Sequence, residues 1–106
     1  GPAAALSPQA LIDVARVAET CFQKHDFDGC VRSSREAVHR ALAFAGEGPL
    51  GSQAVLLGLD GRDVLRLETL SAQPAARVDQ AAFALSVMMQ AFIRLSDAGL
   101  PVSTEA

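Results

Sequence analysis

The sequence predicts an all-α domain, an antiparallel bundle of four main helices whose third region is short or broken. Three observations carry this expectation. Apolar residues recur at the spacing of one helical face in several separate segments. Residues that start and stop helices stand at the ends of those segments. Alanine and leucine, both strong helix formers, supply much of the apolar half of the chain, and Trp and Tyr are missing from it.

The elements follow in order. Ser7 and Pro8 read as N-cap and first helical position. Leu11, Val14, Ala15, Ala18, Cys21 and Phe22 then share a face, giving a helix to about Lys24. The pattern breaks at His25-Asp26, and Asp26 or Asp28 can cap a second helix. Its apolar face is Phe27, Cys30, Val31, Ala37, Val38, Ala41, Leu42 and Ala45, with Gly46 as C-terminal cap. GEGPLGS, residues 46–52, reads as a breaker. Residues 54–70 admit two readings. Asp60-Gly61 between aliphatic runs is a β-hairpin signal. Against it, Asp60 and Asp63 have capping-box spacing, Leu59 and Val64 have staple spacing, and residues 62–70 are rich in Leu, Arg and Glu. Helix is the expectation and the hairpin over 54–70 the alternative. After SAQP (71–74) the last helix covers about 75–96, closed by Gly99 with Pro101 beyond it.

A chain of 106 residues is expected to form one domain, placed over residues 3–99. Gly1-Pro2 resembles the scar of tag removal, and 100–106 read as a linker-like tail. The expectation is a domain cut from a longer protein. No apolar run approaches the ~20 residues of a membrane span and no signal-peptide pattern opens the chain, so a cytoplasmic domain without a membrane partner is expected. Eight of the nine basic residues are Arg, which with the alanine content implies a high-GC bacterial source. A net charge of −3 disfavours nucleic acid as a partner, because that affinity comes mostly from phosphate neutralisation. Cys21 and Cys30 read as free thiols.

Candidate chemistry is sparse. Cys21, His25, Cys30 and His39 carry zinc-ligating atoms but are spread along two helices, so no metal site is expected. GEGPLG lacks the Lys-Ser/Thr of a phosphate loop, and no GxSxG elbow appears. No catalytic residue and no cofactor are expected, and the domain reads as a non-enzyme. Arg32, Arg35 and His39 occupy one polar sector of the second helix, a ligand or anion stripe or else a solvated face with the pair Glu36–Arg40. Ser34 falls in the middle of that helix's apolar sector. Close helix packing, or a bond back to the carbonyl four residues earlier, would accommodate it.

On the last helix, Val78, Ala81, Ala82, Leu85, Met88, Met89, Phe92 and Leu95 fill a broad face assigned to the core. Phe83 and Val87 lie on the far side, flanked by Ala84, Ala91, Gln90 and Arg94. A helix apolar on two sides has a second surface to cover. Either other helices of the chain wrap both faces, or Phe83, Val87, Ala84, Ala91 and Arg94 form the interface of a two-fold homodimer.

The stretch AETCFQKHDFDGCVRSSREAVHRAL, 18–42, resembles two families. Its F-x-x-x-D-F-D-G-C-V turn is similar to the corner of a tetratricopeptide repeat, of which one copy is visible. The same hairpin, followed by a further helix and a long alanine-rich one, is similar to HEPN-type helical bundles. That resemblance implies a helical bundle that often pairs through its helices, and in many members an RNA-cleaving Arg and His separated by four to six residues. Arg32 and His39 have six residues between them, but the family motif lies on a later helix, and the last helix here contains no His. The expected function is protein–protein interaction or self-association, as an adaptor or regulatory domain of a larger bacterial cytoplasmic protein. The alternative is a divergent HEPN-type ribonuclease or nucleotide-binding bundle.

Overall fold

The structure, a computed structural model, describes residues 8–99. The readings placed on Ser7, Gly1-Pro2, Pro101 and 100–106 lie outside them. The described residues are all-α, with five helices: α1 (Pro8–Gln23), α2 (Phe27–Ala45), α3 (Leu50–Leu57), α4 (Gly61–Ser71) and α5 (Val78–Asp97). Four main helices were expected. The additional one comes from the third region, which is broken into α3 and α4.

The corner between α1 and α2 answers to the sequence HDFDG. His25 adopts a left-handed conformation, φ 62°. Its N–H bonds to the Phe22 carbonyl at 3.1 Å, and the Asp26 N–H reaches back to Cys21 at 2.8 Å, which closes α1 as a Schellman motif. Asp26 is the N-cap of α2, accepting from the Gly29 N–H at 2.9 Å. A Cβ at 29 would sit 2.8 Å from the Asp26 carboxyl carbon, so a larger residue there displaces the capping carboxylate. Asp28 has a different task. It accepts from the Ala76 N–H at 2.8 Å and so ties the entry of α5 to the first turn of α2. Phe27 packs edge-on to Phe22 and stacks with His25, each pair 5.7 Å apart.

Residues 54–70 form no hairpin. Gly58, at φ 82° and ψ 23°, ends α3, with the Leu59 N–H closing on the Ala54 carbonyl at 2.9 Å. Asp60 then caps α4 through the Arg62 N–H at 2.9 Å, one position short of the capping-box bond. Leu59 and Val64 are both buried, as a staple requires. Asp60-Gly61 thus serves a helix start rather than a β-turn. The breaker is also shorter than expected, because α3 begins at Leu50 directly after Pro49.

α2 lies against both α1 and α5 more extensively than any other pair packs. Its buried face is Cys30, Val31, Ser34, Ala37, Val38, Ala41 and Leu42, matching the expected sector. α5 supplies Ala81, Ala84, Val87, Met88, Ala91, Phe92 and Leu95. Here the expected core face is corrected. Ala81, Met88, Phe92 and Leu95 are buried as assigned, whereas Val78 and Met89 are 54% and 47% exposed and Ala82 is exposed. Ala84, Val87 and Ala91, assigned to an outer interface, lie in the chain's own core. At ~100° per residue the buried face is turned by roughly a quarter of the circle from the assigned one. Ala81, Ala84 and Ala91 face inward beside Val87, Met88, Phe92 and Leu95, while Val78, Ala82, Met89 and Ile93 are left exposed.

Ser34 stands in this core, fully buried, and its Oγ has no hydrogen-bond partner among the described residues. The bond back to the Cys30 carbonyl is not formed. The adjacent Cys30 thiol is a weak partner, and its own Sγ is directed to the Ala81 carbonyl at 3.8 Å. Apart from that weak thiol contact the hydroxyl is desolvated without compensation, and smallness is what the position uses. Ser34→Ala is expected to raise stability by about 1 kcal/mol in urea denaturation, by removing an unsatisfied buried donor. A loss of stability would mean that the hydroxyl is bonded after all.

Candidate functional site

The outer face of α2 carries the polar sector. Arg32, Arg35, Glu36, His39, Arg40 and Ala43 follow one another on successive turns and line an open cleft of about 480 Å³, with Ser71 at the end of α4 on its wall. The anticipated stripe of Arg32, Arg35 and His39 is thus gathered in one place. Four lining residues stand outside that expectation: Glu36 and Arg40, expected as a solvated pair, Ala43, and Ser71 from another helix. Glu68, which contacts Arg35 and His39, was not singled out.

Glu68 of α4 organises the cleft. Its Oε2 accepts from Arg35 Nε at 2.7 Å, and its Oε1 is in short contact with His39 Nε2. Both carboxylate oxygens are therefore engaged by α2, 29 and 33 residues away. Burial pushes the Glu68 carboxyl up, but the hydrogen bonds from Arg35 and His39 outweigh it and hold the group below its ordinary 4.5. Arg40 gives Nη2 to Glu36 at 2.9 Å, one turn back on the same helix. Arg32 is exposed and makes no ion pair or hydrogen bond with the described residues.

The other candidates separate. Cys30 is buried against α5, where burial pushes its thiol up to about 11. Cys21 is half-buried on α1, His25 stacks at the corner and His39 is held by Glu68. Among the described residues no three His, Cys, Asp or Glu side chains are grouped to hold a metal ion. No described helix is long and apolar enough to cross a membrane.

The interface candidates divide likewise. Phe83 is half-buried beneath the Arg66 guanidinium, which lies 4.2 Å from the ring centroid. Arg94 is exposed near the turn at Gly58. With Ala84, Val87 and Ala91 in the core, this side of α5 is covered from within the chain. The outward side carries Val78, Ala82, Leu85, Met89 and Ile93, all exposed except the half-buried Leu85. Their spacing of four, three, four and four residues makes one continuous stripe.

Comparison with family models, with curated proteins and with solved structures gives no match to this chain.

The Glu68 contacts generate a measurable expectation. Because the folded carboxyl titrates below its ordinary value, its contribution is present above pH 4.5 and fades as pH falls through the lower folded value. Glu68→Gln is expected to cost about 0.5–1 kcal/mol at neutral pH, a modest figure because the pair is partly exposed. Denaturant titrations at pH 7 and pH 3 should show the difference between wild type and variant shrinking in acid.

Proposed function

We propose that this chain is a protein-interaction domain, with the outward stripe of α5 as its contact surface. The observation that supports it is the row Val78, Ala82, Leu85, Met89 and Ile93, with Val78 and Ile93 54% and 55% exposed. Scattered apolar residues on a surface need no explanation, but five in register along one helix form a continuous face. The parent protein is read as a bacterial cytoplasmic one in which this domain is an adaptor or regulator.

The dimensions set the strength. A helix of 20 residues is ~30 Å long and ~10 Å wide, so the stripe offers a few hundred Å². A standard interface takes about 800 Å² per partner. Self-association through α5 alone is therefore weak, in the micromolar range, and a partner with a groove would bind more tightly.

Sedimentation equilibrium tests this. Wild type should associate with rising concentration, while Met89→Glu and Ile93→Glu remain monomeric without loss of fold. Phe83→Glu should instead lower stability, because its ring packs against the core and beneath Arg66. A wild type that stays monomeric at high micromolar concentration removes self-association from the reading.

A second reading, a divergent ribonuclease-type or nucleotide-binding bundle, is favoured by the cleft that holds Arg32 and His39 together. Cleavage of RNA abolished by His39→Ala would support it. Absence of cleavage by pure wild type would remove its catalytic half.

A further inference from the structure

The cleft on α2 has unused donors. Arg35 spends its Nε on Glu68, and neither of its terminal nitrogens is engaged with the described residues. Arg40 spends one terminal nitrogen on Glu36. Arg32 spends none on any described residue. Three guanidinium groups face two carboxylates, Glu36 and Glu68, which leaves one positive charge in excess (3 − 2) before His39 is counted. This occurs in a chain of net charge −3, so the excess is local. The Glu68 contact also fixes Arg35. A guanidinium held through Nε presents its outer edge in a set direction, so less ordering is lost when a ligand arrives.

We propose that this cleft binds a phosphate monoester, with Arg32 and Arg35 carrying the phosphate. A carboxylate has two oxygens, which one guanidinium fork occupies, too few to serve both Arg32 and Arg35. A phosphate monoester brings close to two charges and three terminal oxygens, and the guanidinium fork matches it in paired hydrogen bonds. The volume of about 480 Å³ falls in the range of small-molecule sites and exceeds what a bare anion fills. Ala43, one turn beyond His39, gives the organic part an apolar wall, and Ser71 adds a hydroxyl opposite. The ligand expected is a small organic phosphate rather than free phosphate. The site lies on α2 and α4, apart from the stripe on α5, and stands or falls independently of it.

Thermal unfolding of the full chain in the presence of inorganic phosphate and of phenyl phosphate tests the proposal, with sodium chloride holding ionic strength constant. Both probes should raise the midpoint saturably, phenyl phosphate at lower concentration. Arg32→Gln and Arg35→Gln should each weaken binding about tenfold or more, as expected for loss of a charged hydrogen-bond donor. Arg32→Gln is the decisive variant, because that side chain is exposed and holds no described residue in place. Arg62→Gln, at an exposed arginine that does not line the cleft, should leave both affinities unchanged. A midpoint that rises no more with phosphate than with chloride overturns the proposal. So does an affinity that survives both Arg32→Gln and Arg35→Gln.

Discussion

α2 is pressed between α1 and α5, and the close approach rests on residues no larger than valine or leucine along its buried face. Cys30, Ser34, Ala37 and Ala41 share one line of that face, and Ala81, Ala84 and Ala91 are among the residues that α5 brings to the core. Small side chains bring helix axes together, and dense packing at short range supplies dispersion contacts that a looser bundle forgoes. Ser34 keeps the position small, and alanine would do the same without a hydroxyl to bury. α5 turns toward α2 the side that carries Ala81, Ala84 and Ala91 together with Val87, Met88, Phe92 and Leu95.

That orientation explains the two surfaces of the domain. α5 is apolar on two sides, and burying one leaves the other outside. Val78, Met89 and Ile93 are presented to solvent there. On α2 the division runs the other way. One half is wholly committed to the core, so every long polar side chain gathers on the other half. The cleft is the complement of the packing. Glu68 then joins that polar half to α4, so one carboxylate both anchors α4 and arranges the basic groups.

The corner at residues 25–29 shows how a short motif divides its tasks. Two aspartates separated by one residue are equivalent in composition. In the fold, Asp26 satisfies its own helix and Asp28 reaches 48 residues ahead to Ala76. The first bond is local and any helix start could use it. The second links the two helices that form most of the core and exists only in the folded chain.

By itself the sequence determined the helical class, the end of α1, both ends of α2, the buried face of α2 and the burial of Ser34. These depend on periodicity and capping, which act within a few residues and are written locally. It also determined that α5 has two apolar sides and that Arg32, Arg35 and His39 share a sector. Only the tertiary structure decided which side of α5 faces in, because both sides satisfy the helical period and only packing against the other helices distinguishes them. The same holds for residues 54–70, where Asp60-Gly61 is locally compatible with a turn or a cap and Gly58 ends a helix first. Glu68 was illegible for the plainest reason. A carboxylate on an amphipathic helix looks solvated until the fold sets two basic side chains from another helix against it.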